Sequence, residues 1–136
     1  MIRMVGGGSF NYKKVWTEIR NAEIRSLTHA AGAMRLAARK SIITTPRVNP
    51  AAAGAPPHTR KGKLRRAILY SVLEEGGESV AYIGPAFNLI GLIGKVHEFG
   101  VPSEGKDYPK RPFMGPALKL VENRLPEFFS GSVRSS

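Results

Sequence analysis

Cysteine is absent from this 136-residue chain, which removes disulfides and thiolate metal sites and fits a reducing compartment. Acidic residues are scarce: 10 Asp+Glu stand against 21 Lys+Arg, and the resulting formal charge of +11 points to nucleic acid, acidic protein surfaces or acidic lipid as partners. Long apolar runs are missing too. Nothing approaches the roughly 20 residues of a membrane span, and MIRMVGGGSF lacks the continuous apolar core of a signal peptide, so a cytoplasmic origin and no membrane partner are expected. The three histidines, His29, His58 and His97, lie in separate contexts without metal-ligand spacing, and His97-Glu98 lacks the second histidine of a zinc-protease helix. No Gly-x-Ser-x-Gly elbow, paired catalytic carboxylates or phosphate-cradling loop occurs. No catalytic residue, metal or cofactor is assigned, and the chain is not expected to be an enzyme.

What is present describes an ordinary globular protein, 42% hydrophobic and 23% charged, of a size for one domain with a modest core. Residues 1–11, with three successive glycines, read as a flexible arm, residues 12–129 as one α+β domain, and residues 130–136 as a disordered polar tail. The pattern from Tyr12 to Ile43 is helical. Val15, Ile19, Ala22, Leu27, Ala30, Met34 and Ala38 fall on one side, and Lys14, Glu18, Asn21, Arg25, Thr28, Arg35 and Arg39 on the other. Trp16 is expected to anchor the core or an interface, with the core favoured. Pro46 ends the helix, and PRVNPAAAGAPP over 46–57 reads as an extended connector reaching a neighbouring subunit.

Arg60, Lys61, Lys63, Arg65 and Arg66 follow within seven residues, and the whole stretch from Arg35 to Arg66 holds no acid. Such a run is either a solvated face or a surface turned towards phosphate. Residues 66–74 read as a strand, Glu75-Gly76-Gly77-Glu78 as a hairpin turn, and Ser79–Gly84 as the return strand. AFNLIGLIGKVHEFG suits a short buried helix, in which Gly91 and Gly94 admit close approach by another backbone. The fold expected is therefore α+β, a long N-terminal helix packed on a small antiparallel sheet with a C-terminal helix.

The stretch from Lys95 to Leu118 organises the rest. Gly100 can take the positive φ that ends a helix; Gly105, Asp107 and Pro109 keep the following loop irregular; Pro112 biases Arg111 towards an extended conformation; and Pro116 suits the first turn of a helix carrying Leu118, Val121, Leu125 and Phe128 inward. Phe113 and Met114, between the prolines, are held in a nearly fixed direction. Phe113 then either inserts beside a neighbouring subunit or packs against the long helix of its own chain. Glu98, beside this basic, proline-rich corner, is placed to bind an arginine across a subunit boundary.

Three segments in this order, Pro56-Pro57 with Leu64-Arg65-Arg66 and Ile68, then Glu98-Phe99-Gly100, then Arg111-Pro112-Phe113 with Pro116-Ala117-Leu118, resemble the tail-completion or neck proteins of long-tailed bacteriophages, the minor tail component family of HK-type lambdoid phages. The resemblance covers about residues 15–125. The chain departs from it where Arg60-Lys61 separates Thr59 from Gly62, where Ala67 replaces a common serine, and in the glycine-rich apolar stretch before Glu98. The resemblance implies a structural virion protein at the head–tail junction, forming a homo-oligomeric ring, six subunits favoured and twelve the alternative, between connector or head-closure and tail proteins. Glu98, Phe99, Gly100, Arg111, Pro112, Phe113 and Pro116 would form subunit interfaces. Arg60, Lys61, Lys63, Arg65 and Arg66 would face the DNA channel or an acidic rim. A small sequence-independent nucleic-acid-binding protein, or an RNA-cleaving toxin depending on His97 or Arg65, are the other readings.

Overall fold

The computed structural model describes residues 11–46, 50–103 and 106–131. Most of the expected N-terminal arm and C-terminal tail lie outside these. A 30-residue helix, α1 (Tyr12–Ser41), is the spine, about 45 Å long at 1.5 Å per residue. The Asn11 side chain caps it by accepting from Lys14 N at 3.2 Å, and Arg39 and Lys40 sit favourably at the negative end of its dipole. Its buried positions are small: Ala22, Ser26, Ala30, Ala31 and Ala38. Small side chains let other elements approach the helix axis closely, and the C-terminal helices and the main hairpin all pack there.

After α1 the chain pairs β1 (Ile43–Thr44) in parallel with β2 (His58–Thr59), so the intervening connector closes on itself. It does not project as an arm among its described residues. Ala51 and Pro57 are buried, Gly54 N donates to Lys110 O at 2.7 Å, and the Arg111 Nε donates to Ala51 O at 2.7 Å. Next comes a one-turn helix, α2 (Lys63–Ala67), where a strand beginning at Arg66 was expected. Leu64 and Ala67 turn inward from it while Lys63, Arg65 and Arg66 stay outside, a helical rather than an alternating division.

The strands β3 (Ile68–Glu75) and β4 (Glu78–Pro85) form the expected antiparallel hairpin, turned at Gly76-Gly77 and in register from Ile68↔Pro85 to Glu75↔Glu78. One face lies on α1, fixed by an Arg20–Glu74 ion pair of 2.8 Å near the tip and by Arg35 Nε donating to Ile68 O at 2.8 Å at the base. The apolar stretch that follows makes two helices, α3 (Phe87–Ile90) and α4 (Ile93–Phe99), and they are not buried: Phe87, Leu89, Leu92, Ile93 and Phe99 are all exposed. Gly94 is the buried point of contact. A Cβ there would lie 2.8 Å from Pro85 Cβ, so α4 rests directly on a proline side chain.

Within the loop expected to be irregular, β5 (Val101–Ser103) pairs antiparallel with β6 (Lys106–Tyr108), while Gly105 lies outside the described residues. The chain ends in α5 (Met114–Glu122) and, after a break, α6 (Leu125–Phe129), with Pro126 in the first turn of the second helix. Ala117 and Val121 face inward; Leu118 is exposed, one step round the helix from its expected side. The principal core unites Ala38 and Ile42 from the end of α1, Leu64, Ile68, Phe113 and Ala117. Val15, Trp16 and Ile19 are exposed, because the elements that cover α1 pack along its later turns. No helix is long and apolar enough to cross a membrane among the described residues.

Candidate functional site: a capped corner and a basic cleft

Two places gather the residues that the sequence singles out. The first is the corner between α4 and α5. Gly100 ends α4 with φ of 68°, and a Cβ on it would stand 2.9 Å from Tyr108 O, so the position demands glycine on both counts. The chain then returns so that Arg111 N donates to His97 O at 2.7 Å. This brings Glu98 beneath the start of α5. Its Oε2 accepts from Phe113 N at 2.8 Å and Met114 N at 2.9 Å, and its Oε1 accepts from Gly115 N at 2.8 Å.

The arithmetic of the helix start is complete. Met114 and Gly115 are the first two helical positions, Pro116 is the third and has no N–H, and Ala117 N already bonds Phe113 O. Every orphan donor of the first turn is therefore either bound by Glu98 or absent, and the carboxylate's charge lies at the positive end of the helix dipole. Glu98 thus directs three of its acceptor sites to backbone of its own chain. Phe113 is 0% exposed within its own core, the intrachain placement weighed against insertion into another subunit. Of the other residues tied to interfaces, Phe99 and Pro116 are exposed, Gly100, Arg111 and Pro112 half-buried. His97 is half-buried in the same corner; burial, and secondarily the Arg111 charge, push its pKa below 6.5.

The second place is a concavity of about 490 Å³ lined by Leu36, Arg39, Thr44, Lys61, Gly62, Arg65 and Arg66. It exists because β1–β2 pairing, continued by Thr45 N to Thr59 O at 3.0 Å, returns the chain beside the end of α1 after the connector. Gly62 N donates to Thr59 Oγ1 at 3.1 Å and sets the turn into α2, which aims Arg65 and Arg66 back towards Arg39. Neither ion pair among the described residues, Lys14–Glu18 or Arg20–Glu74, involves these four cations. Arg60 and Lys63, expected in the same group, are exposed outside the lining. Arg39 was missed as a member. The signal was available, since Arg39 lies inside the acid-free run from Arg35 to Arg66 and on the polar side of α1.

The three resembling segments meet in space. Leu64 and Ile68 from the first pack on Phe113 and Ala117 from the third, and Glu98 from the second caps the helix that Phe113 precedes. The chain matches no protein-family model, no curated protein sequence and no solved structure.

Proposed function

We propose that this chain is a structural subunit of a tailed-phage virion, of the neck or tail-completion type, whose copies close into a ring at the head–tail junction between connector or head-closure proteins and the tail. The observation that carries the self-assembling part of this reading is the β3–β4 hairpin. Its register puts Leu69, Leu73 and Tyr82 on the side away from α1, all exposed, and no strand pairs with either outer edge among the described residues. Two-stranded sheets are marginal alone, and proteins that remain monomeric blunt exposed apolar edges. A neighbour that covers this face and pairs with an edge removes both liabilities, and a heterologous contact repeated by rotation closes a ring. The exposed apolar residues of α3 and α4 supply a second surface of the same kind. The phage assignment itself rests on the three ordered segments, two of which share a core while the remaining one caps the helix that Phe113 precedes.

Sedimentation of wild type beside a Leu69→Glu/Leu73→Glu variant tests the reading. Both positions are exposed, so the variant is expected to keep the wild-type far-UV circular dichroism while changing from oligomer to monomer, with a lower unfolding midpoint from the lost association. An oligomer indifferent to both charges would remove the hairpin face from the interface.

A further inference from the structure

The basic cleft holds a specific arrangement that no ring argument requires. Arg39 comes from α1, Lys61 from the loop after β2, and Arg65 and Arg66 from α2, so three separate pieces of backbone aim four cations at one concavity without an acid in its lining. Like charges gathered this way repel one another, and the arrangement is relieved by a polyanion. Three of the four are arginines, whose planar guanidinium groups pair two N–H donors with the oxygens of one phosphate. The Thr44 hydroxyl adds a neutral donor at the wall. A volume near 490 Å³ takes a phosphate together with its flanking sugars. Arg60 and Lys63, exposed and adjacent in the chain to lining residues, add to the positive field beside the cleft.

We propose that this cleft seats the phosphodiester backbone of nucleic acid, with Arg39, Lys61, Arg65 and Arg66 as the phosphate-binding residues. The lining also says what is not read. Among the described residues it contains no aromatic platform and no Asn or Gln to address base edges, so the contacts it offers are to the backbone and independent of sequence. An acidic protein segment would instead be expected to meet apolar anchors at the centre of its contact, and Leu36 is the sole large apolar side chain among the described residues of the lining. The inference stands on the cleft alone and holds whether or not the chain forms rings.

The test is fluorescence anisotropy of a labelled DNA duplex with the full-length protein across a salt series, for wild type, Arg39→Gln, Lys61→Gln and Arg65→Gln. Lys13→Gln and Lys119→Gln remove the same charge elsewhere. Each cleft variant is expected to lose roughly tenfold in affinity at low salt and to flatten the slope of log K against log salt by about one. The two controls are expected to stay within about twofold, the residual effect of lowered net charge on exposed sites. Lys61 is exposed and makes no ion pair among the described residues, so its variant tests the cleft even where replacing an arginine disturbs packing. Equal losses in the controls would show undirected charge attraction and overturn the proposal. So would an oligoglutamate of matching charge displacing the duplex at the same concentration, which would make an acidic protein surface the occupant.

Discussion

Glu98 is the residue on which the corner depends, because one carboxylate satisfies three backbone donors from a segment fifteen to seventeen positions later. Truncating it leaves Phe113, Met114 and Gly115 N–H groups without an acceptor at a partly buried helix start. Glu98→Ala is therefore expected to lower stability by about 1–3 kcal/mol, read as a reduced urea midpoint, while Glu98→Gln, which keeps an acceptor oxygen but loses the charge, loses less. A neutral effect of the alanine variant would mean that water replaces the carboxylate without penalty. Its neighbour His97 gives the corner a pH dependence. Burial and the Arg111 charge hold the imidazole pKa below 6.5, and unfolding restores the ordinary value. Between that value and the lower folded one, the unfolded chain binds more protons, so stability is fully present above pH 6.5 and declines as pH falls through that window. Thermal scans should show His97→Gln with a shallower acid-side decline than wild type. Sequence places Glu98 beside the right corner but does not show its backbone partners, since nothing in the spacing of HEFG and RPFMG says that the chain between them folds back to join Arg111 N with His97 O.

At the scale of elements, legibility followed the length of the periodic signal. The long helix and the hairpin turned at two glycines repeat their patterns over enough residues to be read directly, and both are present. The short elements are decided by contacts that are distant in sequence. Leu64 and Ala67 make one helical turn because Ala38, Ile42 and Phe113 gather around that segment, and the connector folds inward because Lys110 and Arg111 supply partners for Gly54 and Ala51. The α3–α4 stretch was read as buried from its apolar content; only Gly94 is buried there, through contact with Pro85. This contact is testable. A methyl group at position 94 would sit 2.8 Å from Pro85 Cβ, backed by a rigid ring, so Gly94→Ala is expected to destabilise by about 1–3 kcal/mol despite its better helix propensity. A stabilised variant would show that α4 lifts freely from β4.

Across the whole molecule, charge and apolar surface are both laid out unevenly along α1. The end near Arg39 carries the basic cleft, while Glu74, Glu75 and Glu78 cluster at the hairpin tip beside Arg20. There the Tyr82 hydroxyl donates to both Glu75 oxygens at 3.0 and 2.8 Å, which raises the phenol above its ordinary pKa of 10.0. The core uses small residues along the helix and, at the Arg39 end, a few large ones around Phe113, and many large apolar side chains remain outside. We propose that a subunit built this way is completed by neighbours, which is the central claim. The most direct measurement is the solution mass of the purified full-length chain by light scattering over a range of protein and salt concentrations, with negative-stain images of the same samples. The account predicts one closed species of fixed subunit number that appears as a ring, formed alone or on addition of connector or tail proteins. A chain that stays monomeric throughout and joins no such particle would contradict it.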